Sequence, residues 1–513
     1  MARTPFVPPA SHLSGPQKWG LWLAVFAAFA LRLFRLGAQS LWVDEIFTWH
    51  TASPAGPLTI ADILGNIHGP LVSTLLHFWM QTFGDSEFVL RLPMALASVA
   101  LVPAVAYLAR AAAGDRAFLP AAFLAAGSPF LGWYGQEMRN YAFAILFATL
   151  QIWATLRYRA TGETKHLVAL AATAIAGGLS NLNALLLVPV LLAALAWDPP
   201  PRRNRILPLV FVALAIGIAM LPWALHAMRQ VEVERLMPGR DLLPGEAPLR
   251  GETTFTWPAL LYTFYTFSVG YSLGPSLRAL HEDASLAALV PHAAAILTTA
   301  LVFGVLVLSG LHSLRRRAFP LFVLVASIAI PLALVTYFAV MNFKTFNPRY
   351  VSVGIPAWIV LCAAGLSALP TLARRVSSSL VALLFALSLA HHYFDPAYAK
   401  EDFRSATRDL ARLVRPEDRI VAAGNFSPLE YYWRGRTPPF SLYWLGFARD
   451  ARMAPEFGKL RATAGGVTWV FLSRSHDQDP GDRFERWMLA AYQPNVRVYP
   501  GVRLYRIGPR EGY

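Results

Sequence analysis

Charged residues are scarce in this chain. They make up 15% of its 513 residues, against about 25% in a typical soluble domain. Hydrophobic residues make up 56% of the chain. So few charges leave too little polar surface for a soluble protein of this length, and that class is excluded. Apolar runs of about 20 residues recur along most of the sequence, which indicates a helical protein that crosses the membrane many times.

The sequence also lacks the marks of several other classes of protein. Its one cysteine, Cys362, lies in an apolar run, which excludes an intrachain disulfide framework. There is no phosphate-binding glycine loop, no dinucleotide fingerprint and no His-Glu-x-x-His zinc motif. An enzyme that uses a nucleotide-activated sugar usually carries a soluble nucleotide-binding domain, and none is evident here.

The net charge of +15 needs an explanation other than nucleic acid. Most Lys and Arg residues stand in short clusters between apolar runs, and the positive-inside rule assigns such clusters to cytoplasmic loops. We therefore expect membrane lipids, and no nucleic acid, among the partners.

Run lengths predict about eleven membrane spans, the first of them an uncleaved helix rather than a signal peptide. If Lys18 is cytoplasmic, every alternate connection carries a basic cluster. The run "PLVSTLLHFWMQTFG" would break that alternation, and we predict that it is a helix lying on the membrane. The predicted spans lie near 19–36, 92–108, 118–133, 141–156, 167–179, 184–197, 206–226, 286–311, 319–341, 351–369 and 379–391.

The composition changes near Asp395. "EDFRSATRDLARLVRPEDRIVAAGNFSPLEYYWRG" predicts an amphipathic helix, a turn at Pro416, a strand and a second helix, and "GVTWVFLSR" and "VRVYPGVRLYRIG" predict further strands. We therefore predict two domains: a membrane bundle over 1–395 and a small soluble α/β domain over 396–513. An odd number of spans places the soluble domain on the outer face.

Two adjacent carboxylates, Asp44 and Glu45, follow the first apolar run in "LWVDEIFTWH". Their aromatic neighbours suggest a partly buried setting. A buried carboxylate there could accept a proton from an acceptor hydroxyl. We assign that role to Asp44, with Glu45 orienting it or binding a metal. The alternative is a solvated loop, or a helix N-terminus that the carboxylates stabilise.

Two other outer stretches carry cations where the positive-inside rule does not require them. In "GQEMRNYAF", Arg139 stands between Glu137 and Tyr141 and could grip a phosphate through charge-assisted hydrogen bonds. The alternative is an arginine that snorkels at the membrane interface. In "NFKTFNPRY", Lys344 and Arg349 suggest an anionic partner, which could also be an anionic lipid. A carboxylate together with outward-facing cations suggests a lipid-phosphate donor.

His68 in "NIHGP" is a further candidate. A lone histidine is more often structural than a ligand. Together with the acidic pair it could complete a cation site, since imidazole and carboxylates suit zinc.

The order of these motifs resembles that of the GT-C-fold, polyprenyl-phosphate-sugar-dependent glycosyltransferases, relatives of the protein O-mannosyltransferases and the lipid A aminoarabinose transferase. The resemblance is carried by "LRLFRLGAQSLWVDEIFT", "HGPLVSTLLHFWMQTFGDSEFVLRLPMALASV", "SPFLGWYGQEMRNYAF" and "NPRYVSVGIPAW", in order, and covers most of residues 19–395. It implies a multi-pass protein of the inner (cytoplasmic) membrane. It also implies transfer of a hexose or pentose from a polyprenyl-phosphate carrier to a lipid, glycan or protein acceptor on the periplasmic or outer face.

The resemblance also implies roles for individual residues. Asp44 matches the catalytic acidic residue, and Glu45 is its neighbour. Donor-phosphate binding falls to Arg139, Tyr141, Arg349 and Tyr350, and we add Lys344 because of its position in "NFKTFNPRY". His68 falls where relatives carry His-Pro-Pro or an acidic metal ligand, but Gly69 replaces the usual proline here. No cofactor is therefore assigned, and a divalent cation (Zn, Mg or Mn) held by Glu45 and His68 is left open. The long outer segment 228–283, with "YTFYTFSVGYSLG", is expected to cover the site.

Two other functions compete with an inverting glycosyltransferase. A secondary transporter would carry charged residues near mid-span, whereas Asp44, Arg139 and Arg349 fall at outer ends. A noncatalytic scaffold for envelope glycan assembly would only present the tail domain. We expect the acid and the basic residues to meet in one cavity at the outer leaflet.

Overall fold

The computed structural model describes residues 12–53, 57–66, 69–197, 206–230, 255–282, 286–341, 346–423, 427–433, 442–445, 467–473 and 483–508. The chain forms two compact units. The first comprises Met1–Leu36, Thr51–Gly274 and Leu289–Tyr393, and the second comprises Gly37–His50, Pro275–Ala288 and Phe394–Tyr513.

The described residues up to Phe394 form helices and their connections. In chain order these are α1 Gly15–Leu33, α2 Val43–Ala52, α3 Ile60–Gly65, α4 Pro70–Phe83, α5 Glu87–Ala113, α6 Phe118–Gly127, α7 Pro129–Gly135, α8 Tyr141–Thr161, α9 Thr164–Ser180, α10 Leu187–Ala196, α11 Ile206–Gln230, α12 Trp257–Val269, α13 Leu277–Glu282, α14 Ala293–Leu314, α15 Ala318–Val340, α16 Ile355–Ala368 and α17 Thr371–Phe394. The run predicted to lie on the membrane is helix α4; its position relative to the membrane stays a prediction.

Six helices within the described residues are long and apolar enough to cross a membrane, or seven if the bent pair α6–α7 counts as one span. The predicted number of eleven therefore stays a prediction. Several of the other predicted spans fall on helices that are shorter or carry more charge. The six are Glu87–Ala113, Ile206–His226, Ala287–Leu314, Ala318–Val340, Pro348–Ala368 and Thr371–Phe394.

The span predicted over 118–133 is broken. The pair α6–α7 bends by 53° at Ser128, whose hydroxyl accepts a hydrogen bond from the Leu131 amide at 3.3 Å. Pro129 then opens α7, as proline does at a helix start. This bend positions the end of α7 and the residues after it, which include Glu137 and Arg139.

Small residues let helices α14 and α16 approach closely. A Cβ on Gly310 of α14 would collide with the Leu361 carbonyl of α16, and one on Gly365 would collide with the Leu306 carbonyl. Such contacts are typical of helix packing in membranes, where backbones meet across small side chains.

The second unit contains a five-stranded sheet with helices on both faces. Its strand order is β2-β1-β3-β5-β4. Strand β1 runs parallel to β2 and β3, and β5 runs antiparallel to β3 and β4. The elements are α18 Phe403–Leu413, β1 Arg419–Ala423, α19 Ser427–Tyr432, β2 Leu442–Leu445, β3 Thr468–Ser473, α20 Arg483–Tyr492, β4 Asn495–Tyr499 and β5 Val502–Ile507.

Alternating side chains of the strands separate the two cores of this unit. Ile420 and Phe471 pack with Phe403 of α18 on one face. Val421 and Val470 face α20 on the other. The predicted helix, turn at Pro416, strand and second helix are all confirmed. The sequence gives no sign of one further feature: the segment Gly37–His50 belongs to this unit.

Candidate active site

The acidic pair lies in the first turn of α2. Main-chain amides of Glu45 and Ile46 donate to the Trp42 carbonyl at 2.9 and 3.0 Å. Glu45 in turn accepts a hydrogen bond from the Trp42 amide at 3.3 Å, as an acid at the third helical position does in a capping box. Asp44 is half-buried and Glu45 is fully buried.

Glu45 forms a buried ion pair. The Lys400 ammonium lies 3.3 Å from the Glu45 carboxylate, and 8% of the lysine side chain is exposed. Successive helical residues point about 100° apart, so Asp44 does not share the direction of Glu45. Lys400 disfavours Glu45 as a ligand of a divalent cation, because ammonium and metal repel each other.

The predicted residues Glu137 and Arg139 lie in the first unit, between the end of α7 and the start of α8. The Trp133 indole donates to the Glu137 carboxylate at 2.9 Å, and the Arg139 amide donates to the Glu137 carbonyl at 2.6 Å. Asn140 donates to the Ser180 carbonyl at 2.7 Å. Glu137, Arg139 and Asn140 are all buried. A network of buried hydrogen bonds therefore fixes this short non-helical stretch.

Arg349 lies against Tyr141. Its guanidinium carbon is 5.9 Å from the centre of the Tyr141 ring and 5.3 Å from that of Tyr350, within the range of cation–π contacts. The Asn347 side chain accepts the Arg349 amide at 3.1 Å and so caps this turn. Arg349 and Tyr141, 208 residues apart in the chain, are thus in contact, as the predicted donor-phosphate site requires.

Aromatic side chains continue this group. The hydroxyls of Tyr134 and Tyr271 are 2.9 Å apart, and the rings of Tyr134 and Tyr141 have centroids 5.0 Å apart. Trp133 packs on Tyr271 at 5.3 Å. For Tyr271, the sequence predicts only that its aromatic segment covers the site. For Tyr134 the sequence gives no signal, because this tyrosine looks like one more residue of an apolar helix.

Two predicted residues, His68 and Lys344, lie outside the described residues. Across the described parts of the chain, no group of three or more His, Cys, Asp or Glu side chains could hold a metal ion. The Glu45–His68 cation site is therefore not tested.

Comparison with known proteins adds to this geometry. Residues 67–226 match the family model for dolichyl-phosphate-mannose-protein mannosyltransferase. No curated protein matches the sequence significantly. The solved structure of ArnT from Cupriavidus metallidurans in the apo state is similar with a TM-score of 0.59 and 14% identity, over 97% of this chain and 100% of ArnT. The chain has the GT-C fold.

Two further structures with the GT-C fold bear on the site. ArnT from Cupriavidus metallidurans bound to undecaprenyl phosphate has a TM-score of 0.56 at 15% identity, over 96% of this chain and 100% of that one. AglB, the oligosaccharyltransferase of Archaeoglobus fulgidus in complex with an inhibitory peptide and a dolichol-phosphate, has a TM-score of 0.52 at 14% identity, over 96% of this chain and 74% of AglB. The resemblance seen in the motifs is thus confirmed at the level of the fold, as is the all-α membrane bundle with a small α/β domain.

Proposed function

We propose that this chain is an inverting glycosyltransferase that moves a sugar from a polyprenyl-phosphate carrier to a hydroxyl acceptor. The observation that carries the proposal is the contact of the half-buried Arg349 with the buried Tyr141, two residues after the buried Arg139. Arginines inside a membrane bundle are costly and mark substrate paths. The fold shared with ArnT bound to undecaprenyl phosphate and AglB bound to a dolichol-phosphate supports a lipid phosphate as the anion.

The chemistry needs two kinds of side chain. The acceptor hydroxyl is a weak nucleophile. Asp44 takes the hydroxyl proton as the hydroxyl oxygen attacks the anomeric carbon of the donor sugar. The bond from that carbon to the phosphate oxygen breaks, and polyprenyl phosphate leaves with the electron pair. Arg349 and Arg139 stabilise the negative charge on the departing phosphate. A single displacement inverts the anomeric centre. That Asp44 meets the arginines stays a prediction.

The other assigned residues have supporting roles. Tyr141 and Tyr350 hold the Arg349 guanidinium by their ring faces, Glu137 fixes the stretch that carries Arg139, and Lys344 adds a further positive charge. No metal role is assigned, because Lys400 already neutralises Glu45. A lipid, a glycan or a protein remains open as the acceptor, and either a hexose or a pentose as the sugar.

Transfer by the purified protein tests the proposal. We expect sugar to move from a synthetic undecaprenyl-phosphate donor to membrane lipid, envelope glycan or envelope protein. Mass spectrometry of each of these three fractions detects the transferred sugar. Nuclear magnetic resonance of the product should show the anomeric configuration opposite to that of the donor. Retention would contradict single displacement, and no transfer from any donor to any fraction would favour the scaffold.

We also propose that the site and the tail domain face the periplasm or exterior of an inner-membrane protein, as the basic clusters require. Cys362 is buried, so introduced cysteines can report this orientation. Val498→Cys in the tail, where the valine is 71% exposed, should react with a membrane-impermeant maleimide in spheroplasts. Arg374→Cys, at an exposed position in a basic cluster that we predict to be cytoplasmic, should react only after the membrane is permeabilised. The reverse pattern would invert the topology.

A further inference from the structure

The segment that carries Asp44 is held by the tail. Arg404 donates to the Ala38 carbonyl at 2.6 Å, and the Lys400 amide donates to the Gln39 side chain at 3.0 Å. These contacts lie within the second unit and join residues more than 350 positions apart in the sequence. The chain just before α2 is therefore fixed by residues just before and in α18.

The contacts continue along α2. The Leu41 amide donates to the Tyr432 hydroxyl at 2.6 Å, and the rings of Trp49 and Tyr431 meet edge to face at 5.2 Å. Val43 packs on the core that α18 and α19 share with the sheet. The tail domain thus contacts α2 and the residues before it from Ala38 to Trp49.

At the centre of these contacts is the ion pair of Glu45 and Lys400. Glu45 is fully buried and Lys400 nearly so. The Glu45 carboxylate oxygen that faces Lys400 also accepts the Trp42 amide, which starts α2. Removing one partner of a buried ion pair leaves an uncompensated charge and is strongly destabilising locally. Without Lys400, the buried Glu45 carboxylate loses the cation 3.3 Å away, and its hold on the first turn of α2 weakens.

We propose that Lys400 is a positioning residue for the transfer reaction: acting through Glu45, it fixes the turn of α2 from which Asp44 reaches the acceptor hydroxyl. This inference rests on the proposed function, because it takes Asp44 as the base. It also assigns the tail domain a task in catalysis, which its sequence does not suggest. A catalytic group must be held to within about 0.5 Å of its productive position, and a displacement of about 1 Å can reduce the rate about 100-fold.

The experiment compares Lys400→Met, Lys400→Arg and the exchanged pair Glu45→Lys/Lys400→Glu in the full-length protein. For K400M we expect kcat to fall by about 10–100-fold, with the KM for the undecaprenyl-phosphate donor unchanged. Hydrogen exchange should rise in the peptide covering 37–50 and stay constant in the membrane helices. K400R keeps the positive charge and should restore most of kcat, and the exchanged pair should recover part of it.

Lys165→Met is the matched control. Lys165 also pairs with a glutamate, Glu163, at 2.8 Å, but its side chain is 70% exposed. The Lys165→Met variant should have the wild-type kcat and wild-type hydrogen exchange in the peptide covering 37–50. A K400M protein with wild-type kcat would overturn the proposal. So would a K400M protein whose hydrogen exchange rises throughout both units in step with its loss of activity, since the lysine would then be only structural.

The result for Asp44 separates this inference from the proposed function. If Asp44→Asn is inactive and K400M is fully active, the positioning role fails and the glycosyltransferase proposal stands. If Asp44→Asn keeps full activity, the proposed function fails whatever K400M does.

Discussion

Replacing Asp44 with Asn should lower kcat for sugar transfer by about 10²–10⁴-fold, because the amide cannot accept the proton of the acceptor hydroxyl. The change is nearly isosteric, and the Asp44 carbonyl that accepts the Thr48 hydroxyl at 3.1 Å is left intact. We expect the variant to fold and to bind donor as the wild type does. Initial rates at saturating donor measure the effect.

Asp62→Asn is the control for this prediction. Asp62 lies in the first turn of α3, as Asp44 lies in the first turn of α2, and it is exposed. Both variants lose a carboxylate that favours a helix start, but only one loses the proposed base. Equal activity in the two variants would show that Asp44 is not the base and would assign it at most a structural role.

The second large effect is expected at Arg349. Replacing it with Met removes the charge that we propose stabilises the leaving phosphate, and kcat/KM for the donor should fall by about 10²–10³-fold. Lysine keeps the charge but not the planar fork that matches phosphate or the stacking on tyrosine rings. Arg349→Lys should therefore retain more activity than R349M and less than the wild type.

Arg374→Met controls for the loss of one arginine. Arg374 is exposed near the start of α17, and its variant should keep the wild-type kcat/KM. The size-exclusion elution profile of each purified variant, compared with that of the wild type, checks that the variant is folded. If R349M were as active as R374M, the lipid phosphate would not bind at Arg349, and the proposed donor site would be wrong.

The sequence predicts some parts of this fold better than others, for physical reasons. Tail elements follow from periodicity: α18 alternates its faces every three to four residues, and β1 is apolar after its first residue, Arg419. Both form where predicted. The bend at Ser128 is harder to foresee because both halves are apolar, and periodicity does not distinguish one long helix from two short ones. The number of membrane spans depends on whether a bent pair of helices such as α6–α7 counts as one span.

Some residues of the candidate site can also be predicted from the sequence, and others cannot. Arg349 and Arg139 attract attention because cations on the predicted outer face have no topological reason to be there, and the structure places Arg349 against Tyr141, two residues after Arg139. Lys400 gives no such signal. It is one lysine at the start of a polar tail, and its partner Glu45 lies 355 residues away. A pairing over that distance is set by the tertiary fold and cannot be read from local patterns.

Binding of a labelled undecaprenyl-phosphate donor to the Asp44→Asn protein tests the central claim most directly. The account divides the work between an acid that acts on the acceptor and arginines that hold the donor. It predicts that D44N binds the donor with wild-type affinity and does not turn it over, whereas R349M binds it weakly. Loss of donor binding in D44N, or wild-type binding in R349M, would contradict that division.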